Sequence, residues 1–158
     1  MPMIYGITPA TAGNLTTNAT PNTATETLFL KPGATRTLWL LSLYVMGKGA
    51  ALTTISGIAF RVKKWTTAST AGTAITPQPR DSGFQAATAT AASRPTAGSG
   101  GGTPVLAFGC GAAGPGGWVA PNPDAGVVMA AANAGSIAVD DASGTASLNF
   151  EISGEIAE

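Results

Sequence analysis

Apolar and polar residues alternate with a period of two in several separate stretches of the chain. The clearest is 146–156 (ASLNFEISGEI). There Leu148, Phe150, Ile152 and Ile156 fall on one face, and Asn149, Glu151, Ser153 and Glu155 on the other. That period marks a strand with one face in a core. Residues 57–65 behave alike, with Ile58, Phe60 and Val62 opposite Ala59, Arg61 and Lys63. The run 36–46 (RTLWLLSLYVM) is apolar on both faces, Leu38, Leu40 and Tyr44 against Trp39, Leu41, Leu43 and Val45. No N-cap residue introduces it as a helix, so it reads as a strand buried on both sides, or with one face in a core and one against a partner. Shorter strands are predicted at 3–7, 26–31, 104–109, 126–130 and 135–139, and Pro32-Gly33 supplies turn chemistry after the second of these.

Two stretches lack such a pattern. Residues 8–25 carry no charge and few large apolar groups before Thr25, and read as an extended arm. Residues 66–103 are rich in Thr, Ala, Gly and Ser and read as one long loop. Loops of that length inside a compact domain are usually functional. About eight strands separated by Gly, Pro and Asn, with no convincing helix, predict an all-β fold. The expected form is a single-domain antiparallel β-sandwich over 1–158, jelly-roll-like, with long loops.

Composition narrows the chemistry. Eight Lys and Arg balance eight Asp and Glu among 158 residues, so the formal net charge is zero and only 10% of residues are charged. A neutral chain has no electrostatic footprint for nucleic acid. The longest apolar stretch, residues 38–46, is too short for a membrane span of about 20 residues. Residues 1–4 lack the basic start and apolar run of a signal peptide. Histidine is absent and there is one cysteine, so no histidine-based triad, disulfide or Cys-rich zinc site can form within the chain. No catalytic, cofactor-binding or metal site is expected, and the protein does not read as an enzyme. So little surface charge suits a protein packed against others.

The remaining chemistry-bearing groups have ordinary readings. Cys110 has no base near it in sequence to activate it. Asp140-Asp141 begins a hairpin-loop pattern, DDASG. Asn122-Pro-Asp124 reads as a Pro-rich turn. The glycine-rich runs 99–103 and 109–117 lack the Lys-Ser/Thr of a phosphate loop and read as loop tips. The sequons at Asn14 and Asn18 fall in a Thr- and Asn-rich stretch and read as chance. Arg61, Lys63 and Lys64 form the one basic cluster in sequence. Trp39 reads as core. Trp65 and Trp118 are candidate contacts for a neighbouring subunit, and Ile75, Phe84 and Arg80 are candidate anchors within the long loop.

Three features together resemble the small auxiliary head proteins of tailed bacteriophages, the decoration or cement type. They are the near-neutral Thr/Ala/Gly composition with a non-basic start, the block from Gly47 to Trp65 (GKGAALTTISGIAFRVKKW), and the ending from Gly144 to Ile156 (GTASLNFEISGEI). The resemblance implies a non-catalytic virion protein, made in the host cytoplasm, that binds the outer surface of the capsid. Its partners would be the major capsid protein and further copies of itself, a trimer being favoured over a dimer. Nucleic acid, membrane and cofactors are not implied. The alternative reading is a phage tail or fibre domain that binds a cell-surface glycan, with Trp65 or Trp118 as its platform.

Overall fold

A computed structural model describes residues 2–8, 15–16, 26–47, 57–93, 96, 98–111, 114–141 and 149–158. Its strands are β1 (Ile4–Ile7), β2 (Leu15–Thr16), β3 (Leu28–Lys31), β4 (Leu38–Gly47), β5 (Gly57–Thr67), β6 (Thr73–Ile75) and β7 (Gln78–Pro79). They continue with β8 (Thr90–Ser93), β9 (Ser99–Gly111), β10 (Pro115–Val119), β11 (Val127–Met129), β12 (Ser136–Asp141) and β13 (Asn149–Ala157). The protein is all-β and its pairings are antiparallel, as the alternation predicts. Each of the eight predicted strands is present within a few residues of its expected bounds. The other five bring the number to thirteen, and all belong to one continuous hydrogen-bonded sheet.

That sheet runs β6-β8-β3-β12-β5-β9-β10-β4-β13-β1-β7, with β11 beside β4 and β2 beside β13. Its two ends, β6 and β7, are separated along the chain only by Thr76 and Pro77. One continuous segment, 73–79, therefore reaches both edges of the sheet and curls it into a near-closed form. The structure thus corrects the reading of 66–103 as an outlying loop. Its middle supplies β6, β7 and β8, and its end opens β9.

The concave face holds the core. Leu38, Leu40, Leu43, Val45, Phe60, Val62, Ile137, Phe150, Ile152 and Ile156 are buried there. Phe60 of β5 meets Phe150 of β13 edge-on at 5.1 Å and stacks on Phe108 of β9 at 5.4 Å. Opposite halves of the curled sheet therefore pack against each other through aromatic rings. Ile75 is only 4% exposed and joins the same core with Ala89 and Ala91. The Glu158 carboxylate accepts from the Thr88 and Ala89 amides and from Thr88 Oγ1, which ties this segment to the end of β13.

One irregularity decides what faces solvent. Glu155 pairs with Ser42 and Ile156 with Leu40, so Leu41 has no partner on β13. It is a bulge, and its carbonyl accepts from the Ala120 amide at 2.8 Å. A bulge shifts the alternation by one residue. Leu38 and Leu40 point inward before it; Leu43 and Val45 point inward after it. Trp39 and Leu41 are half-buried, and Tyr44 and Met46 are exposed. The unbroken period that groups Tyr44 with Leu38 and Leu40, and Leu43 and Val45 with Trp39, is corrected accordingly.

Candidate functional site

The outer face of β9, β10 and β4 is an uncharged surface with exposed apolar side chains. No residue of these three neighbouring strands carries a charge. Pairing places Tyr44 between Gly117 of β10 and Ser153 of β13, and Met46 between Pro115 and Glu151. Because their flanking neighbours on β10 are small, both side chains stand clear of the sheet, 48% and 45% exposed. Val119 on β10 is 57% exposed. Ala59, Ala107, Gly109 and Gly111 continue the face flatly toward β5. Among the described residues, charge returns at the borders, with Arg61 on β5, Glu151 and Glu155 on β13, and Asp124 beside Trp39 and Leu41 of β4. Interface cores have this composition, poor in charge and enriched in Tyr and Met. Contiguous exposed apolar surface of this kind marks an interaction site.

The expected contact residues lie elsewhere. Ile75 is in the core and is unavailable as a surface anchor. Phe84 is half-buried, in the turn held by its amide donating to the Asp81 carbonyl. Arg80 is exposed and paired with Glu155 at 2.6 Å. Trp118 is half-buried against the core, one position out of phase with the exposed face.

Trp65 is the most constrained of the five. A Cβ on Gly102 would lie 2.4 Å from its ring, and one on Gly98 would lie 2.7 Å from it. Only glycine lets the 98–102 backbone lie on the indole, and Gly102 has φ +76°, a conformation natural to glycine. The run 99–103 is therefore strand built onto Trp65, which corrects its reading as a free loop tip. The glycines of 115–117 likewise form β10 rather than a tip.

Behind Trp65 lies a buried polar network. Trp65 Nε1 and Ser69 Oγ both donate to the Glu26 carboxylate, the latter at 2.6 Å. Ser69 N donates to Ser136 Oγ at 3.2 Å. Asp140 Oδ2 takes Arg61 at 2.6 Å and Lys63 at 2.8 Å. Lys63 Nζ sits 5.6 Å from the centre of the Trp65 ring. Burial pushes the Glu26 carboxyl above its ordinary value, while the Ser69 and Trp65 hydrogen bonds and the Lys63 charge oppose that rise. The Asp140 charge is thus paired within the network. Asp140 and Asp141, read as the start of a hairpin loop over 140–144, end β12 instead, and residues 142–144 lie outside the described residues. Successive strand residues face opposite ways, so Asp140 meets Arg61 and Lys63 while Asp141 accepts from Thr27 Oγ1 at 2.7 Å. Lys63 is thereby removed from the basic cluster as a surface feature, leaving Lys64 exposed.

Cys110 is buried, and desolvation pushes its thiol above the ordinary value. Asn122-Pro-Asp124 forms the start of a short 3-10 turn, capped by Asn122 Oδ1 accepting from the Ala125 amide at 2.9 Å. Among the described residues no group of three or more metal-ligating side chains is present. Most of the arm at 8–25, the sequon asparagines Asn14 and Asn18, and the centre of the Gly47–Trp65 block lie outside the described residues.

Comparison with protein-family models, with curated proteins and with solved structures gave no match to this chain.

Sequence reasoning missed Tyr44, Met46 and Val119. The signal that could have found them is the absence of charge across residues 99–119 together with the exposed phase of 42–46, and that phase depends on the bulge at Leu41.

Proposed function

We propose that this protein is a non-catalytic structural subunit that binds the outer surface of a phage head and stiffens it, a capsid decoration or cement protein acting as a homo-oligomer. The single observation that carries the reading is the uncharged outer face of β9, β10 and β4 with Tyr44, Met46 and Val119 standing out of it. A rigid curled sheet presents these residues with little ordering cost on docking, which favours binding. The neutral composition and the resemblance of the Gly47–Trp65 and Gly144–Ile156 blocks support the same role. In this reading the curled sheet is a jelly-roll-like sandwich, with β4, β13 and β1 packed over β3, β12 and β5.

The test is co-sedimentation with capsids that lack the protein. Met46→Asp and Val119→Asp each place a charge in the proposed contact without touching the core. Each should lower occupancy at least about tenfold, the loss of roughly 1.4 kcal/mol. Full occupancy by the folded double variant would overturn the assignment of this face. Absence of the wild-type protein from the capsid lattice in electron micrographs of native particles would overturn the function.

A further inference from the structure

On the side of Tyr44 away from β10 the surface changes character. A cleft of 320 Å³ opens there, walled by Gly6, Tyr44, Gln78, Arg80, Ser153 and Gly154. Its floor is low because β1 contributes Gly6 beside Glu155. The Arg80 side chain lies over that glycine, its Nε 3.7 Å from where a Cβ would be, and reaches Glu155 Oε1 at 2.6 Å. The Arg80 amide donates to the Ile4 carbonyl at 2.9 Å, which fixes the start of this wall to β1. Arg80 is 60% exposed, so its remaining N–H groups are open to a ligand. The Gln78 amide stands on the same wall, its Nε2 donating to the Thr76 carbonyl at 3.2 Å.

The chemistry selects a ligand class. The half-exposed phenol ring offers a flat face for aliphatic C–H groups. Arg80 and Gln78 offer donors; Glu155, Gln78 Oε1 and the Ser153 hydroxyl offer acceptors. A pyranose has one C–H-rich face and a rim of hydroxyls that both donate and accept. The volume lies at the small end of ligand sites. Because Glu155 neutralises Arg80, nothing in the cleft favours an anion over a neutral ligand.

We infer that this cleft is a saccharide-binding site for one neutral pyranose, with Tyr44 as the stacking platform and Arg80, Glu155 and Gln78 as hydroxyl partners. It differs from the tryptophan platforms suggested by the sequence, since Trp65 and Trp118 are packed inward. Tyr44 borders both this cleft and the proposed shell-contact face, and the two readings are tested apart: the shell test varies only Met46 and Val119, and the sugar test uses the isolated chain.

The experiment is titration of the 15N-labelled full chain with glucose, galactose, mannose and N-acetylglucosamine, followed by amide NMR shifts, with glucuronate as the charged comparison. At least one neutral sugar should bind with millimolar affinity and move the amides of residues 6, 44, 78, 80 and 153. Tyr44→Ala should weaken it at least about tenfold, Tyr44→Phe by less than about threefold, and Met46→Ala, outside the cleft, should change nothing, since tenfold is the scale of one good contact. Gln78→Ala, on an exposed edge position, should weaken binding independently of the Tyr44 variants. Tighter binding of glucuronate than of every neutral sugar, binding that survives Tyr44→Ala, or no shift from any of the four sugars would overturn the site.

Discussion

Replacing Ile75 tests whether the segment 73–79 closes the sheet. Ile75 is the last residue of β6, pairs with Ala91 and is 4% exposed. Ile75→Ala deletes three buried carbons, and core truncations of this kind cost about 2–5 kcal/mol. A site on a short end strand can partly collapse, so the lower half, about 2–3 kcal/mol, is expected. For a domain of this size that lowers Tm by about 4–12 °C. Urea unfolding followed by tryptophan fluorescence should show a lower midpoint with an unchanged slope. Thr73→Ala, on the same strand but exposed, should stay within about 0.5 kcal/mol. Replacing residues 68–100 by a short Gly/Ser linker should abolish cooperative unfolding, because β6, β7 and β8 go with them. Equal, negligible effects of Ile75→Ala and Thr73→Ala, or a cooperatively folded deletion protein, would refute the closing role and return this segment to a surface loop.

Phe150→Ala removes a fully buried ring that meets Phe60 edge-on, and should cost about 3–5 kcal/mol; a double-mutant cycle with Phe60→Ala should show a coupling of about 0.5–1.5 kcal/mol. Glu26→Gln should keep both hydrogen bonds, its Oε1 accepting from Trp65 and its Nε2 donating to Ser69. The raised Glu26 value means its contribution is full below the ordinary value of 4.5 and is lost as pH rises through the raised one. The Tm of Glu26→Gln minus that of the wild type should therefore grow from acid toward neutral pH, and a flat difference would contradict the burial argument. Cys110 should react with a thiol reagent only as fast as the sheet opens, and Cys110→Ser should leave capsid co-sedimentation unchanged; fast labelling of the native protein would contradict its burial.

The strands with strict alternation, such as those carrying Phe60 and Phe150, were legible because one face of each is apolar and the other polar, and that contrast is written locally. The all-β class follows from them. The segment 66–103 hid three strands because its inward residues are mostly alanines. Ala89, Ala91 and Ala92 are buried by close backbone packing, which leaves almost no hydrophobic contrast along the chain. The Gly-rich strand over Trp65 was opaque for a related reason: glycine there answers to an indole 37 residues away in sequence at Gly102, and to nothing beside it. Asp140 and Asp141 looked like turn residues until Arg61, Lys63 and Thr27 arrived from other strands to pair with them. The exposed face depends most heavily on tertiary structure. Period two specifies two faces but not their phase across a bulge, and the unpaired Leu41 turns Tyr44 and Met46 outward. Local sequence determined the strands whose two faces contrast in polarity; long-range pairing decided the alanine- and glycine-rich strands, and which side of β4 meets the core and which meets solvent.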